Sequence, residues 1–399
     1  MATKPLFAVG MDAGAARTRC VIGVLEDGVL RYVGHGEGPS GGWTKGRIAD
    51  QNAAAQSILT ALREAETRAQ VSVKSATLGI GGPSVRGNNS RSSLELGRPR
   101  EIVQRDVNRA VERASRVQLR EDRLILHLMT QDFVVDSHPG HRDPRKMVAS
   151  RLEANIHLVT ASEAEHQCLV AAANQAHLAV EETVFEAVAG AFAAVLPEDR
   201  REGVAFVDIG SQSTEIVVYY GEAVQLAGSL PICGDHFTRD VARGLGTGID
   251  DAELLKVEYG SAAADQTGDN SLIDVPSPGD REPREAPRRK LNRILEARAD
   301  ELFGYVRGEL ARVGMAHALM GGVVITGGMA RLHGMCDVAE RVLDCQARNG
   351  LAVGIEDWPE EIDDPVWVTA AGLAMYSARL RLQGELENQS AGLLGRILR

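Results

Sequence analysis

Two acids close short apolar runs, each two residues ahead of a glycine: Asp12 and Gly14 in FAVGMDAG, and Asp208 and Gly210 in VAFVDIGS. Glycine in such a turn lets backbone N–H groups approach phosphate oxygens, and the nearby acid can hold Mg²⁺ directly or through water. Either Asp-x-Gly alone reads better as a plain turn. The flanks match, however: each acid is followed by a second apolar run, RTRCVIGVL or TEIVVYY, and then by Asp27-Gly28 or Gly221-Glu222. Thr326-Gly327-Gly328, with Gly334 six residues on, adds glycines at a strand-to-helix turn, where backbone can pack against a flat base or ribose. Brought face to face, the three elements would make a nucleotide-phosphate site.

The elements that must position these residues read as a repeat of strand, tight turn, strand, turn, strand. Apolar residues at Ala54, Ile58, Leu62 and Ala65 predict a helix over 50–69, and 73–80 reads as a strand ending at Gly81-Gly82-Pro83. Short strands around one helix, 106–117, then suggest an inserted unit reaching to about Thr160. Residues 260–290, which include VPSPGDREPREAPRRK, show no periodicity and read as a loop or a reduced hairpin. A helix over 291–313 and a strand over 322–326 follow, and the chain closes with a polar stretch, QGELENQS, and AGLLGRILR. That last segment sets Leu393, Leu394, Ile397 and Leu398 on one helical face beside Arg396 and Arg399. It suits an anionic membrane interface, and equally a frayed tail or a docked helix.

The 399 residues allow two or three compact units, and 44% hydrophobic with 25% charged residues is a globular composition. A formal charge of −11 argues against broad nucleic-acid binding, since phosphate neutralisation needs a basic face. The five cysteines are odd in number and lack any C-x-x-C pair, which indicates neither a disulfide framework nor a zinc site. No run approaches the ~18 apolar residues of a membrane span, and the N-terminus lacks a secretory apolar core. A cytoplasmic body is expected. His138 and His141 form an H-x-x-H pair around Pro-Gly with Asp143 nearby, and a solvated loop is the plainer reading than a metal site.

The three glycine turns, in this order, resemble the phosphate 1, phosphate 2 and adenosine motifs of the actin-like ATPase superfamily. Within it the chain is similar to the FtsA family of bacterial cell-division proteins over nearly its whole length. GEGPSGGWTKGRIADQNAA resembles that family's stretch after the first hairpin, and RLILHLMTQDFVVD with SRLEANIHLVT resembles its inserted subdomain 1C. DDAELLKVEYG and ILEARADEL resemble segments of subdomain 2B.

The resemblance implies an α/β, two-lobed actin-like fold with an inserted SHS2-type 1C subdomain. It divides the chain into 1A (1–82, 160–200 and 366–382), 1C (83–159), 2A (201–235 and 306–365) and 2B (236–305). A linker (383–390) and an amphipathic membrane helix (391–399) complete the division. It places Asp12, Gly14 and Arg17 on phosphate 1, Asp208, Gly210, Ser213 and Thr214 on phosphate 2, Gly327 and Gly328 on the adenosine motif, and Glu253 with Lys256 around adenine and ribose. Asp12 and Asp208 would hold Mg²⁺. The family's D-I-G-G-G-T stands here as DIGSQST, so Ser211 and Gln212 carry side chains where glycines usually sit.

The implied role is that of an ATP-binding protein that polymerises, binds the FtsZ C-terminal tail and other division proteins, and tethers the FtsZ ring to the cytoplasmic face of the inner membrane at the septum. No residue announces itself as a catalytic base, so slow or negligible ATPase is expected; the fold would supply one around 160–163. Arg293 and Arg298, flanked by Leu295 and Leu302, are expected to form a basic and apolar strip for the FtsZ tail, or else to be solvated charges. A PilM-like pilus-assembly adaptor and a small-molecule kinase of the same superfamily are the alternatives.

Overall fold

The computed structural model describes residues 5–277 and 282–397. Its first sheet runs in the order 179–185, 75–80, 6–13, 17–26 and 29–39. The first three strands are parallel, and the last two join as antiparallel hairpins. The same plan recurs in strands 347–349, 323–326, 204–209, 214–220 and 223–230. The sequence repeat is therefore a repeat of topology. Both hairpin turns carry two consecutive residues at positive φ, Asp27-Gly28 and Gly221-Glu222, the backbone that matches strand twist.

The strands 6–13 and 204–209 are buried almost throughout, as parallel central strands must be when both faces are covered. Helix Gln51–Ala69 covers one face of the first sheet, and its first turn is capped by the Asp50 carboxylate, which accepts from the Asn52 and Ala53 N–H groups. Close approach comes from glycine: a Cβ on Gly36 would collide with the Ala61 carbonyl oxygen of that helix. Helix Val368–Ile397 covers the other face, against Gly10. In the second lobe, helix Arg288–Arg312 buries Leu291, Leu295, Leu302, Phe303 and Val306 completely.

The inserted unit is built from strands 86–101, 123–135 and 148–162 with helix Gln104–Ser115 on one face. A single pairing, Gly228 with Arg86, joins its sheet to that of the second lobe, making nine strands in all. His127 fastens it to the first lobe by accepting from the Phe185 N–H at 2.9 Å. The aperiodic 260–290 stretch contains a short hairpin, 272–275 with 284–287. His138 and His141 end a short strand paired with Val135 and Phe133.

The end of the chain departs from the expected linker. Helix Val368–Ile397 continues unbroken through 383–390 and the expected membrane-facing positions Leu393, Leu394 and Ile397; Leu398 lies outside the described residues. Polarity alone was a poor signal for a break, because Gln, Glu and Leu are good helix formers and no proline intervenes. Among the described residues no helix is long and apolar enough to cross a membrane.

Gly304 and Gly308 sit inside helix Arg288–Arg312 with open space at the Cβ position. Gly304→Ala and Gly308→Ala should each stabilise the protein by about 0.5–1 kcal/mol, whereas Gly36→Ala should cost about 1–3 kcal/mol through collision with helix backbone. Urea unfolding midpoints check both signs.

Candidate functional site

The strands 6–13 and 204–209 both end at a cleft between the lobes, with a cavity of about 770 Å³. Asp12, Gly14, Arg17, Asp208, Gly210, Ser213, Glu253, Lys256, Gly327 and Gly328 all line it. Thr214 does not: it is fully buried at the start of its strand, with no partner for its hydroxyl. The second turn closes tightly through a Gly210 N–H bond to the Ser213 carbonyl at 3.0 Å. Helix Gly234–Leu245 starts against that turn, its Gly234 and Asp235 N–H groups donating to the Gly210 and Ser211 carbonyls at 2.8 and 2.7 Å.

Gly327 has φ +78°, and a Cβ there would collide with the Asp208 carboxylate and the Ile209 carbonyl oxygen. Its glycine is required by packing of one turn on the other. Gly328 faces open space. In the same lobe Lys256, only 7% exposed, bonds Glu253 at 2.6 Å and Thr238 at 2.9 Å.

Four carboxyls gather at the floor, two of which the motifs did not reveal: Glu186, first residue of helix 186–194, and Glu215, second residue of strand 214–220. Gly81 makes room for both, since a Cβ on it would meet each side chain. The Gly82 N–H donates to Glu215 at 2.8 Å, and the Thr369 hydroxyl donates to Asp208 at 2.7 Å. Burial raises Asp12 to about 7, with Arg19 opposing and Asp208 adding to the rise. Burial and then Asp208 raise Glu215 to about 8. Glu186 is driven well above its ordinary value by burial and by Glu215, Asp12 and Asp208. Asp208 is raised by burial, against the Thr369 bond and Arg19. Arg19 also has a buried Nε without an acceptor.

The segment 160–163 does not supply the cleft. Thr160 is buried and accepts from Arg123 at 2.7 Å, and Glu163 starts the exposed end of helix 163–175; neither lines the cavity. The expected basic and apolar strip is also corrected in part. Leu295 and Leu302 are wholly buried, because the stripe they belong to is the face of helix Arg288–Arg312 that packs on its own lobe. Arg298 is paired at 2.5 Å with Asp240 and with Glu301, while Arg293 is exposed.

The family model described as cell division protein FtsA matches residues 205–372, and that of the SHS2 domain inserted in FtsA matches 82–160. The FtsA protein of Pseudomonas aeruginosa is 35% identical over 94% of this chain and 90% of its own length. This chain belongs to the FtsA family of cell-division proteins. The Escherichia coli K12 FtsA is 32% identical over 97% of this chain and 94% of its own. Among solved structures, a PilM–PilN type IV pilus biogenesis complex matches with TM-score 0.68 at 18% identity, covering 93% of this chain and 98% of that one. Spiroplasma citri MreB5 bound to AMPPNP matches with TM-score 0.57 at 14% identity, over 97% and 100%. Both likenesses are to the fold, an actin-like one.

Carboxyls raised by burial bind protons more tightly in the folded than in the unfolded chain. For Asp12 the window is from 3.8 to about 7, and across it the folded state loses stability as pH rises. In protein free of nucleotide and divalent cations, Asp12→Asn should therefore gain on the order of 1–3 kcal/mol over wild type at pH 8 and nothing at pH 4. An equal gain at both values in urea unfolding would contradict the assignment.

Proposed function

We propose that this FtsA family member binds ATP with Mg²⁺ in the cleft, polymerises, and tethers the FtsZ ring to the cytoplasmic face of the inner membrane at the septum. The observation that carries the nucleotide part is the convergence of both Asp-x-Gly turns and the Gly327-Gly328 turn on one cavity. Hard carboxylate oxygens suit Mg²⁺, which typically takes one or two carboxylates and completes its shell with water and phosphate oxygens. Asp12 and Asp208 fit that use, since among the described residues no group of three ligating side chains is set to hold an ion unaided. The ion would supply charge neutralisation for the phosphates. Arg17, exposed at the mouth, and Arg19, with its unfilled Nε, face the same cavity. Glu253 and Lys256 offer an acceptor and a donor for ribose and base.

Turnover should be slow. A general base must be ionised and near its proton. Burial and the neighbouring acids push Glu186 well above its ordinary value, and Glu215, at about 8, is mostly protonated at neutral pH. Nucleotide then serves chiefly as a clamp between lobes. Membership of the FtsA family favours this reading over a pilus adaptor's, and the MreB5 structures, which hold AMPPNP or ADP, support a nucleotide in the cleft; the small-molecule kinase alternative has no base ready for a substrate hydroxyl among the described residues.

The partner assignments follow the family. Helix 288–312 offers exposed Arg293 to the acidic FtsZ tail, while Arg298, already shared with Asp240 and Glu301, would have to exchange partners. The inserted 1C unit would contribute to lobe-to-lobe polymer contacts. Leu393, Leu394, Ile397 and Leu398 would enter the membrane, with other division proteins joining the assembly there.

MgATP should raise the melting temperature of wild type and fail to do so for Asp208→Ala. Binding of an FtsZ C-terminal peptide should weaken about tenfold in Arg293→Glu, with the MgATP shift retained. Vesicle flotation should be lost in Leu393→Asp. Peptide and vesicle binding both absent from wild type would sink the tether reading while leaving the nucleotide reading standing.

A further inference from the structure

Gln212 lies in the second turn, in the second lobe, yet its side chain leaves that lobe. Its Oε1 accepts the Gly46 N–H at 2.9 Å. Gly46 is buried at the tip of a small first-lobe hairpin, Trp43–Thr44 with Arg47–Ile48, whose Lys45-Gly46 turn has positive φ at both positions. The hairpin is fixed to its own lobe by the Arg47–Glu165 ion pair at 2.9 Å. Its tip is therefore a rigid first-lobe element whose buried amide finds its acceptor across the cleft.

The surroundings leave this tip little freedom. A Cβ on Gly46 would lie 2.9 Å from Pro83 Cδ and 3.3 Å from the Gln212 carbonyl oxygen. A Cβ on Gly82 would lie 2.6 Å from the Gly46 carbonyl oxygen. Gly82 is itself held by the second lobe: its N–H goes to Glu215 at 2.8 Å and its carbonyl accepts from Ser229 at 2.5 Å. The hairpin tip, the root of the inserted unit and the second turn thus meet at one point. Behind them lies a chamber of about 40 Å³, reached by Gly14, Glu186 and Ser213, with a buried Trp43 Nε1 on its wall that has no partner among the described residues. That space is enough for one or two water molecules and too small for a phosphate group.

We infer that Gln212 is a positioning residue that latches the two lobes together behind the phosphate turns without nucleotide, and so fixes the root of the inserted unit. A glycine at 212 would leave the buried Gly46 amide unpaired in the closed state and remove one of the bonds that cross the cleft, so a ligand spanning the cleft would contribute more to closure. With Gln212 the closed arrangement is held in advance. The consequence rests on the nucleotide reading of the cleft, whereas the latch itself does not.

Hydrogen exchange on the nucleotide-free, full-length protein tests it. In Gln212→Ala the peptide spanning 43–48 should exchange about five- to tenfold faster than in wild type, the loss of one modest hydrogen bond. Exchange over 288–312 should be unchanged, which separates a local latch from general loosening. Gln212→Glu, whose carboxylate can still accept the Gly46 N–H, should keep the slow rate. Equal rates in wild type and Gln212→Ala, or equal acceleration in Ala and Glu variants, would overturn the latch. Adding MgADP should restore protection to 43–48 in Gln212→Ala and change wild type little. If MgADP alters neither protein, the nucleotide reading fails while the apo comparison still decides the latch.

Discussion

Asp12 and Glu215, buried, and Glu186 and Asp208, half-buried, gather at the floor of one cleft, with Arg19 opposing the charge on both strand-end acids. Four carboxyls set this close together cannot all ionise readily, so the floor either holds protons or needs an added cation. The surrounding architecture serves that constraint. Gly81 admits two of the acids, Gly327 packs a third loop directly on Asp208, and Thr369 and the Gly82 amide donate to carboxylate oxygens. Because the partners come from both lobes, the charge state of the floor is tied to how the lobes sit.

The duplicated sheet explains how an acid from each lobe reaches the same point. Each copy ends a parallel central strand at the cleft and turns back through an antiparallel hairpin, so the two acids are delivered by one topology used twice. The copies differ in what is attached. The first lobe carries the inserted unit, whose entry at Gly82 is gripped by Glu215 and Ser229 of the second lobe. A change at the floor has only one side chain to cross before it reaches the root of that insertion. Under the proposed nucleotide reading, this is a short mechanical path from the cleft to the insertion.

Much of this was legible in sequence because it rests on short-range rules. Asp12 and Asp208 stood out through matched apolar flanks, Asp50 caps the helix that apolar spacing predicts, and Asp27-Gly28 makes the expected tight turn. Glu215 and Glu186 were missed although a signal existed: each is a lone acid in an apolar stretch, TEIVVYY and FEAVAGAFAAV, where an unpaired charge is costly. Leu295 and Leu302 were misassigned because an amphipathic stripe does not say whether it faces a partner or its own core. The Gln212–Gly46 bond links residues 166 apart, and no local pattern could signal it.

The central claim is that the floor holds protons until a cation replaces them. Titration calorimetry of MgATP at pH 7 in two buffers of different ionisation enthalpy measures the protons exchanged on binding. Asp12, which stands at about 7 and is one of the two acids that would hold Mg²⁺, predicts net proton release, reduced in Asp12→Asn. Binding with no proton release in wild type would contradict the account.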